Sequence, residues 1–218
     1  MATSTEENYL KTLLKLSQKT GEVSISELSR ALEVSKPTAN SMVKNLKSQG
    51  FITYEKYKPL SLTSEGRKAA ALILRKHRLT EMYLVEKMGF GWEEVHEIAE
   101  QVEHIKSPAF FDRMDELMDF PSTDPHGSPI PDKHGKIEAL TNKRLIDCTP
   151  GTEVILSALG ESSKEFLEFL DGMGLILGVR MRIISISAFD QSVSVSFDDK
   201  HEFLSSKVSE RLLVDELV

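Results

Sequence analysis

Residues Ser24–Thr63 read SISELSRALEVSKPTANSMVKNLKSQGFITYEKYKPLSLT, and this stretch decides the fold. Ser24 or Ser26 can cap a helix running through Leu32, followed by a turn at Glu33-Val34. Ser35 is the next N-cap, and Pro37 falls in the first turn, where its missing N–H costs least. The helix that follows, through Lys47, turns Ala39, Met42, Val43 and Leu46 to one side. Its other side offers Ser35, Lys36, Thr38, Asn40, Ser41, Lys44 and Asn45. Gly50 ends it, Phe51–Tyr54 reads as a strand, Lys56-Tyr57-Lys58-Pro59 as a basic tip, and Leu60–Thr63 as the returning strand. Helix, short turn, helix and two-stranded ribbon make a winged helix-turn-helix. A helix fits the major groove, its N-terminal amides attract phosphate, and small polar side chains there reach base edges. The pattern therefore predicts contacts to double-stranded DNA from Ser35, Lys36, Pro37, Thr38, Asn40, Ser41 and Lys44, with Lys56 and Lys58 on the neighbouring backbone. The competing readings are a helical hairpin with a solvated face and a winged helix used for protein contacts.

On the N-terminal side, Asn8–Gln18 places Tyr9, Leu10, Leu13 and Leu14 on one helical face, and Gly21 ends it. On the C-terminal side a long helix through Ala69–Leu74 leads into Arg75–Lys106, RKHRLTEMYLVEKMGFGWEEVHEIAEQVEHIK. This segment reads as two helices joined at Gly89-Phe90-Gly91. On the first, His77 and Glu81 are four residues apart and share a face. On the second, His96, Glu100, Glu103 and His104 fall within an arc of about 100°, with Ile98, Val102 and Ile105 opposite. Imidazole and carboxylate donors together suit a divalent first-row metal, and the lack of cysteine there argues against a thiolate zinc site. Spacing alone leaves a solvated polar stripe and a metal site as open alternatives.

Pro108–Phe120 is a further amphipathic helix, Pro121–Pro131 an extended segment, and residues 132–147 a linker. From Cys148 the pattern turns to strands at Thr152–Leu156, Val179–Ile186, Ser192–Phe197 and Arg211–Val214. Helices are predicted at Ser163–Leu170 and near Phe203–Val208, which together suggest a small SH3-like β-barrel. The expected class is α+β.

The 218 residues, 40% apolar and 28% charged, suit a soluble globular chain of one to three domains. No apolar run reaches the roughly 20 residues of a membrane span. There is no basic-then-apolar export signal, and the single Cys148 suits a reducing cytoplasm. The net charge of −7 is unevenly spread: residues 1–72 hold 11 Lys and Arg against 7 Asp and Glu, and the remainder 16 against 27. A basic front and an acidic remainder point to a polyanion meeting the front.

With its parts in order, the chain resembles the diphtheria-toxin-repressor and manganese-transport-regulator family of metal-dependent transcriptional repressors, over nearly its whole length. The resemblance rests on SxPT (Ser35, Pro37, Thr38), LTxxG (Leu62, Thr63, Gly66), RKHRLxE (Arg75–Glu81), VHExAExxEH (Val95–His104) and FP…PHGxPIP (Phe120–Pro131). It implies a winged-helix domain over 1–72, a helical dimerisation and metal-binding domain over 73–143, and over 144–218 an SH3-like domain related to ferrous-iron transport accessory proteins. It further implies a homodimer on a palindromic operator, whose spacing is matched only when metal orders the two recognition helices.

Carried over by residue, the resemblance places a regulatory metal site on Asn8, Glu100, Glu103 and His104, with His77 close by. It places a neighbouring site on His77, Glu81 and His96, completed from the C-terminal domain near Glu161 to Glu165, where Ser162 is the ungapped match. Asp124 stands where some relatives have cysteine, making Asp124 and His126 additional candidates. Glu100, where iron-responsive relatives have cysteine, favours Mn²⁺, with Fe²⁺ next and Zn²⁺ or Co²⁺ able to bind in vitro. Asn8 departs from the usual Asp or Met, offering a carbonyl oxygen without charge. Two rival functions are a dinuclear-metal hydrolase, for which no general base separate from the ligands is evident, and a winged-helix regulator answering to an organic ligand.

Overall fold

The computed structural model describes residues 2–55 and 58–217. The chain divides into two compact units: Met1–Thr80 with Ile98–Phe120 and Ile130–Glu138, and Glu81–Glu97 with Pro121–Pro129 and Ala139–Val218. Among the described residues no helix is long and apolar enough to cross a membrane.

In the first unit, α1 spans Ser4–Thr20 and starts four residues earlier than its apolar periodicity suggests. The reason is local: Thr3 and Glu6 form a reciprocal capping box that satisfies amide donors at the helix start. Ser24 and Glu27 repeat the device for α2 (Ile25–Ala31). Ser35 caps α3 (Lys36–Ser48), which has Pro37 in its first turn. The wing strands β1 (Ile52–Thr53) and β2 (Ser61–Leu62) pair antiparallel, with Ile52 opposite Leu62. They are shorter than the four-residue strands expected because flanking backbone groups are used elsewhere. The Phe51 N–H donates to Leu46 at the end of α3, and the Leu60 N–H donates to Val23. Lys56, assigned above to the wing tip, lies outside the described residues. Next come α4 (Ser64–Met88), α5 (Val95–Val102) and α6 (Pro108–Leu117). One apolar core joins Leu10, Leu13 and Leu14 of α1 to Leu28, Val43, Leu46, Leu60 and Leu74.

Gly66, in the first turn of α4, has a steric reason of its own. The Thr63 hydroxyl accepts from the Gly66 N–H at 3.0 Å and lies 2.7 Å from the Gly50 carbonyl oxygen, to which it donates. A Cβ at residue 66 would sit 1.8 Å from the Phe51 carbonyl oxygen, so helix and wing approach each other only over a bare Cα. Gly66→Ala should therefore lower stability by about 2 kcal/mol or more, since the backbone must shift to admit the methyl group. Urea unfolding checks this, and an unchanged midpoint refutes it.

The second unit is built on an antiparallel SH3-like sheet. Its strands are β3 (Lys143–Arg144), β4 (Glu153–Leu159), β5 (Arg180–Ile186), β6 (Val193–Phe197), β7 (Lys200–Leu204) and β8 (Leu212–Glu216). They lie in the order β3-β8-β4-β5-β6-β7, with register shifts in β4 and β5. α7 (Lys164–Met173) and the single turn α8 (Ser206–Ser209) complete it. Val154, Leu156, Ile183, Val193, Val195, Leu212 and Val214 meet Phe166, Leu167 and Leu170 of α7 in the core. Two expectations need correction. Phe203 and Leu204 belong to a strand rather than a helix, because Asp198 and Asp199 at φ 46° and 59° close a tight hairpin between β6 and β7. β3, in the presumed linker, pairs with β8.

Candidate metal centre and nucleic-acid interface

In the first unit, α1 faces the end of α5 and the turn after it, where Glu103 and His104 lie. His77, Glu100 and Glu103 bring one donor atom each within 4.8 Å of one another. The His77 Nδ1 is 2.6 Å from Glu103 Oε2, and both side chains are buried. Lys11 enters the same cluster, its ammonium 2.6 Å from Glu100 Oε1 and 2.7 Å from Glu103 Oε2. Burial pushes the Glu100 carboxyl up, but the charge and hydrogen bond of Lys11, with His77 and Lys15, hold it below its usual range.

His104 is oriented from α1. Its Nδ1 lies 2.7 Å from Glu7 Oε2, and a carboxylate can only accept, so the ring proton sits on Nδ1. The Nε2 lies 3.8 Å from Glu103 Oε1. Among the described residues, the buried oxygens Asn8 Oδ1 and Glu103 Oε1 have no hydrogen-bond partner. A buried carboxylate oxygen without a donor is costly, and a carboxylate-oriented histidine beside it is the usual setting of a metal ligand. This donor set fits a divalent cation.

The second unit holds a further cluster, made of Glu81, Asp124 and His126, all buried. The Asp124 carboxylate accepts from the His126 and Ser128 backbone N–H groups, each at 2.9 Å, which shapes the loop. Gly127 is required at its tip: φ is +82°, and a Cβ there would lie 2.3 Å from the Ser157 carbonyl oxygen. His126 Nε2 donates at 2.9 Å to the Trp92 carbonyl oxygen, which can only accept, and its other ring nitrogen is Nδ1. That nitrogen faces Glu81 Oε2 and Asp124 Oδ1, each at 4.0 Å, and a positive charge among the three would be stabilised. His96 Nδ1 adds a contact of 3.1 Å to Glu81 Oε1. Glu161 is engaged with Arg211 at 2.7 Å, and Glu165 is exposed in the first turn of α7, so neither enters this cluster.

At the start of α3 and along it, Ser35, Lys36, Pro37, Thr38, Ser41 and Lys44 are exposed, while Asn40 is half-buried, its Oδ1 3.3 Å from the Tyr54 hydroxyl. Asn40, Lys44, Tyr54 and Lys58 line an open cleft of about 740 Å³ with Ser24 and Ser26. Lys58 is exposed and pairs with Glu55. Glu6, which sequence reasoning missed, reaches from α1 to α3, where its Oε1 accepts from the side-chain amides of Asn45 and Gln49. Glu7 and Lys11 were missed as well. Their one sequence signal is a charged residue set beside the apolar face of an amphipathic helix.

Comparison with known proteins agrees in every part of the chain. Residues 1–60 match the family described as iron dependent repressor, N-terminal DNA binding domain. Residues 63–132 match iron dependent repressor, metal binding and dimerisation domain, and residues 143–216 match the FeoA domain. The iron-dependent repressor IdeR of Mycobacterium leprae is 35% identical over 127 residues, 58% of this chain and 55% of that protein. The match thus spans about half the length of that relative. The diphtheria toxin repressor of Corynebacterium efficiens is 29% identical over 83% of both chains. Among solved structures, a manganese-dependent transcriptional repressor in complex with manganese superposes with a TM-score of 0.88 at 30% identity, covering 97% of this chain and 100% of that one. ScaR with bound Cd²⁺ gives 0.83 at 30% identity, covering 97% and 99%.

Proposed function

Because the chain belongs to the diphtheria-toxin-repressor and manganese-transport-regulator family of metal-dependent transcriptional repressors, we propose that it represses transcription by binding a palindromic operator as a homodimer when its metal centre is filled. The proposed ligands are Asn8, Glu100, Glu103 and His104, with His77 beside them, and Mn²⁺ is favoured over Fe²⁺ because the donors are oxygen and imidazole. Glu81, Asp124 and His126, with His96, form the proposed second cation site. Residues 1–72 read DNA, 73–143 dimerise and hold metal, and 144–218 form the accessory SH3-like domain.

The observation that carries this reading is the position of α1. One helix presents Glu7 and Lys11 to the metal centre and Glu6 to the recognition helix α3. When bound, a divalent cation supplies the positive charge that the Glu100 and Glu103 carboxylates and the unpartnered oxygens of Asn8 and Glu103 require. The chain's own residues do the rest: Glu7 holds His104, Asn8 ties α1 to the centre, and Glu6 passes the position of α1 to Asn45 and Gln49. Operator binding measured with Mn²⁺ and with excess chelator, at one fixed salt concentration, tests this. The expected result is a loss of specific affinity of at least 100-fold on chelation, and equal affinity in both conditions refutes it.

A further inference from the structure

Lys11 is the least expected member of the metal centre. Its side chain is 3% exposed, and its ammonium bridges Glu100 Oε1 at 2.6 Å and Glu103 Oε2 at 2.7 Å. A buried ammonium is tolerated only when paired, and two buried carboxylates close together equally need a cation. Here the protein supplies that cation from its own first helix. The oxygens that hold the ammonium belong to the same carboxylates that would ligate a divalent ion. A single and a double positive charge about 4 Å apart repel strongly in a partly desolvated site. The two occupants are therefore mutually exclusive.

We infer that Lys11 is a tethered competitor for the metal centre: its ammonium closes Glu100 and Glu103 without metal and withdraws when a divalent cation binds, so that Lys11 sets the concentration at which the centre fills. This rests on the proposed metal site. The apparent affinity of a site open for a fraction of the time falls by that fraction. A lysine held by two short charge-assisted bonds keeps the site closed most of the time, and its flexible stem lets it leave without unfolding α1. Removing the charge should make metal binding tighter and the metal-free protein less stable, two effects of opposite sign. A merely structural lysine would lower both.

The test uses the full chain as the parent protein and as Lys11→Met, Lys11→Gln and Lys11→Arg. Mn²⁺ uptake is followed by loss of the free-ion electron paramagnetic resonance signal, and thermal unfolding is measured with and without metal. Lys11→Met and Lys11→Gln should bind Mn²⁺ about tenfold or more tightly than the parent, on the population argument above. Their metal-free midpoints should fall, their metal-loaded midpoints should not, and Lys11→Arg should stay near the parent. If either variant fails to fold without metal, it is purified with Mn²⁺ and its affinity is read by chelator competition, with the same expectation. Unchanged or weaker Mn²⁺ binding in both uncharged variants overturns the inference while leaving the metal site in place. Failure of parent and variants alike to bind Mn²⁺ overturns the proposed site and the inference together.

Discussion

Glu100→Ala should bind Mn²⁺ more than 100-fold more weakly than the parent protein and should lose Mn²⁺-dependent operator binding. Groups that only support a metal ligand typically change affinity about 10- to 100-fold when removed, so loss of a ligand should exceed that. Glu100 shares its cluster with His77 and the wholly buried Glu103, and although burial pushes its carboxyl up, Lys11, His77 and Lys15 together hold it below its usual range. The substitution removes one of two carboxylates and with it about half of the cluster's negative charge. Lys11 keeps Glu103 as a partner, so the fold should survive. Glu100→Cys is the informative companion: a thiolate in place of a hard oxygen should move activation from Mn²⁺ toward Fe²⁺, Co²⁺ or Zn²⁺. Titrating operator binding with each metal at fixed salt reads both variants. Activation of Glu100→Ala by Mn²⁺ at the parent's concentration would show that the regulatory centre is not at this cluster.

Much of this arrangement was legible in the sequence because it is written in local signals. Ser35 and Pro37 mark the start of α3, apolar residues at helical spacing mark its buried side, and Gly50 marks its end. His77, Glu100, Glu103 and His104 could be grouped because helical spacing alone aligns them. What could not be read depends on distant partners. Glu7 meets a residue 97 positions away and Lys11 meets residues 89 and 92 positions away, so no periodicity links them. On a helical wheel both look like solvated charges at the edge of an apolar stripe. Asp198-Asp199 was missed for a different reason: turns with both residues at positive φ are usually signalled by Asn-Gly or Asp-Gly, and two aspartates adopt the conformation here without glycine. Glu161 was a ligand candidate by position, but a nearby arginine, Arg211, takes its carboxylate.

Glu6→Ala should separate metal binding from DNA binding. The substitution leaves the ligand atoms of Asn8, Glu100, Glu103 and His104 in place, so Mn²⁺ affinity should stay within about threefold, a change of less than 1 kcal/mol. It removes the carboxylate that accepts from both Asn45 and Gln49, a side-chain tie from α1 to α3. Hydrogen bonds to a charged group contribute about 1.5–3 kcal/mol each, so losing the pair should cut the aligned population, and hence operator affinity at saturating Mn²⁺, by roughly 100-fold or more. Glu6 also belongs to the capping box of α1, which alone could lower stability. Gln49→Ala spares that box and should weaken operator binding in the same direction by less. Because Glu6 is an anion set back from the exposed face of α3, neither variant should change the slope of log affinity against log salt, whereas loss of a phosphate contact would flatten it. Full operator affinity in Mn²⁺-saturated Glu6→Ala would mean that α1 does not carry the signal and that the coupling runs through the dimer instead.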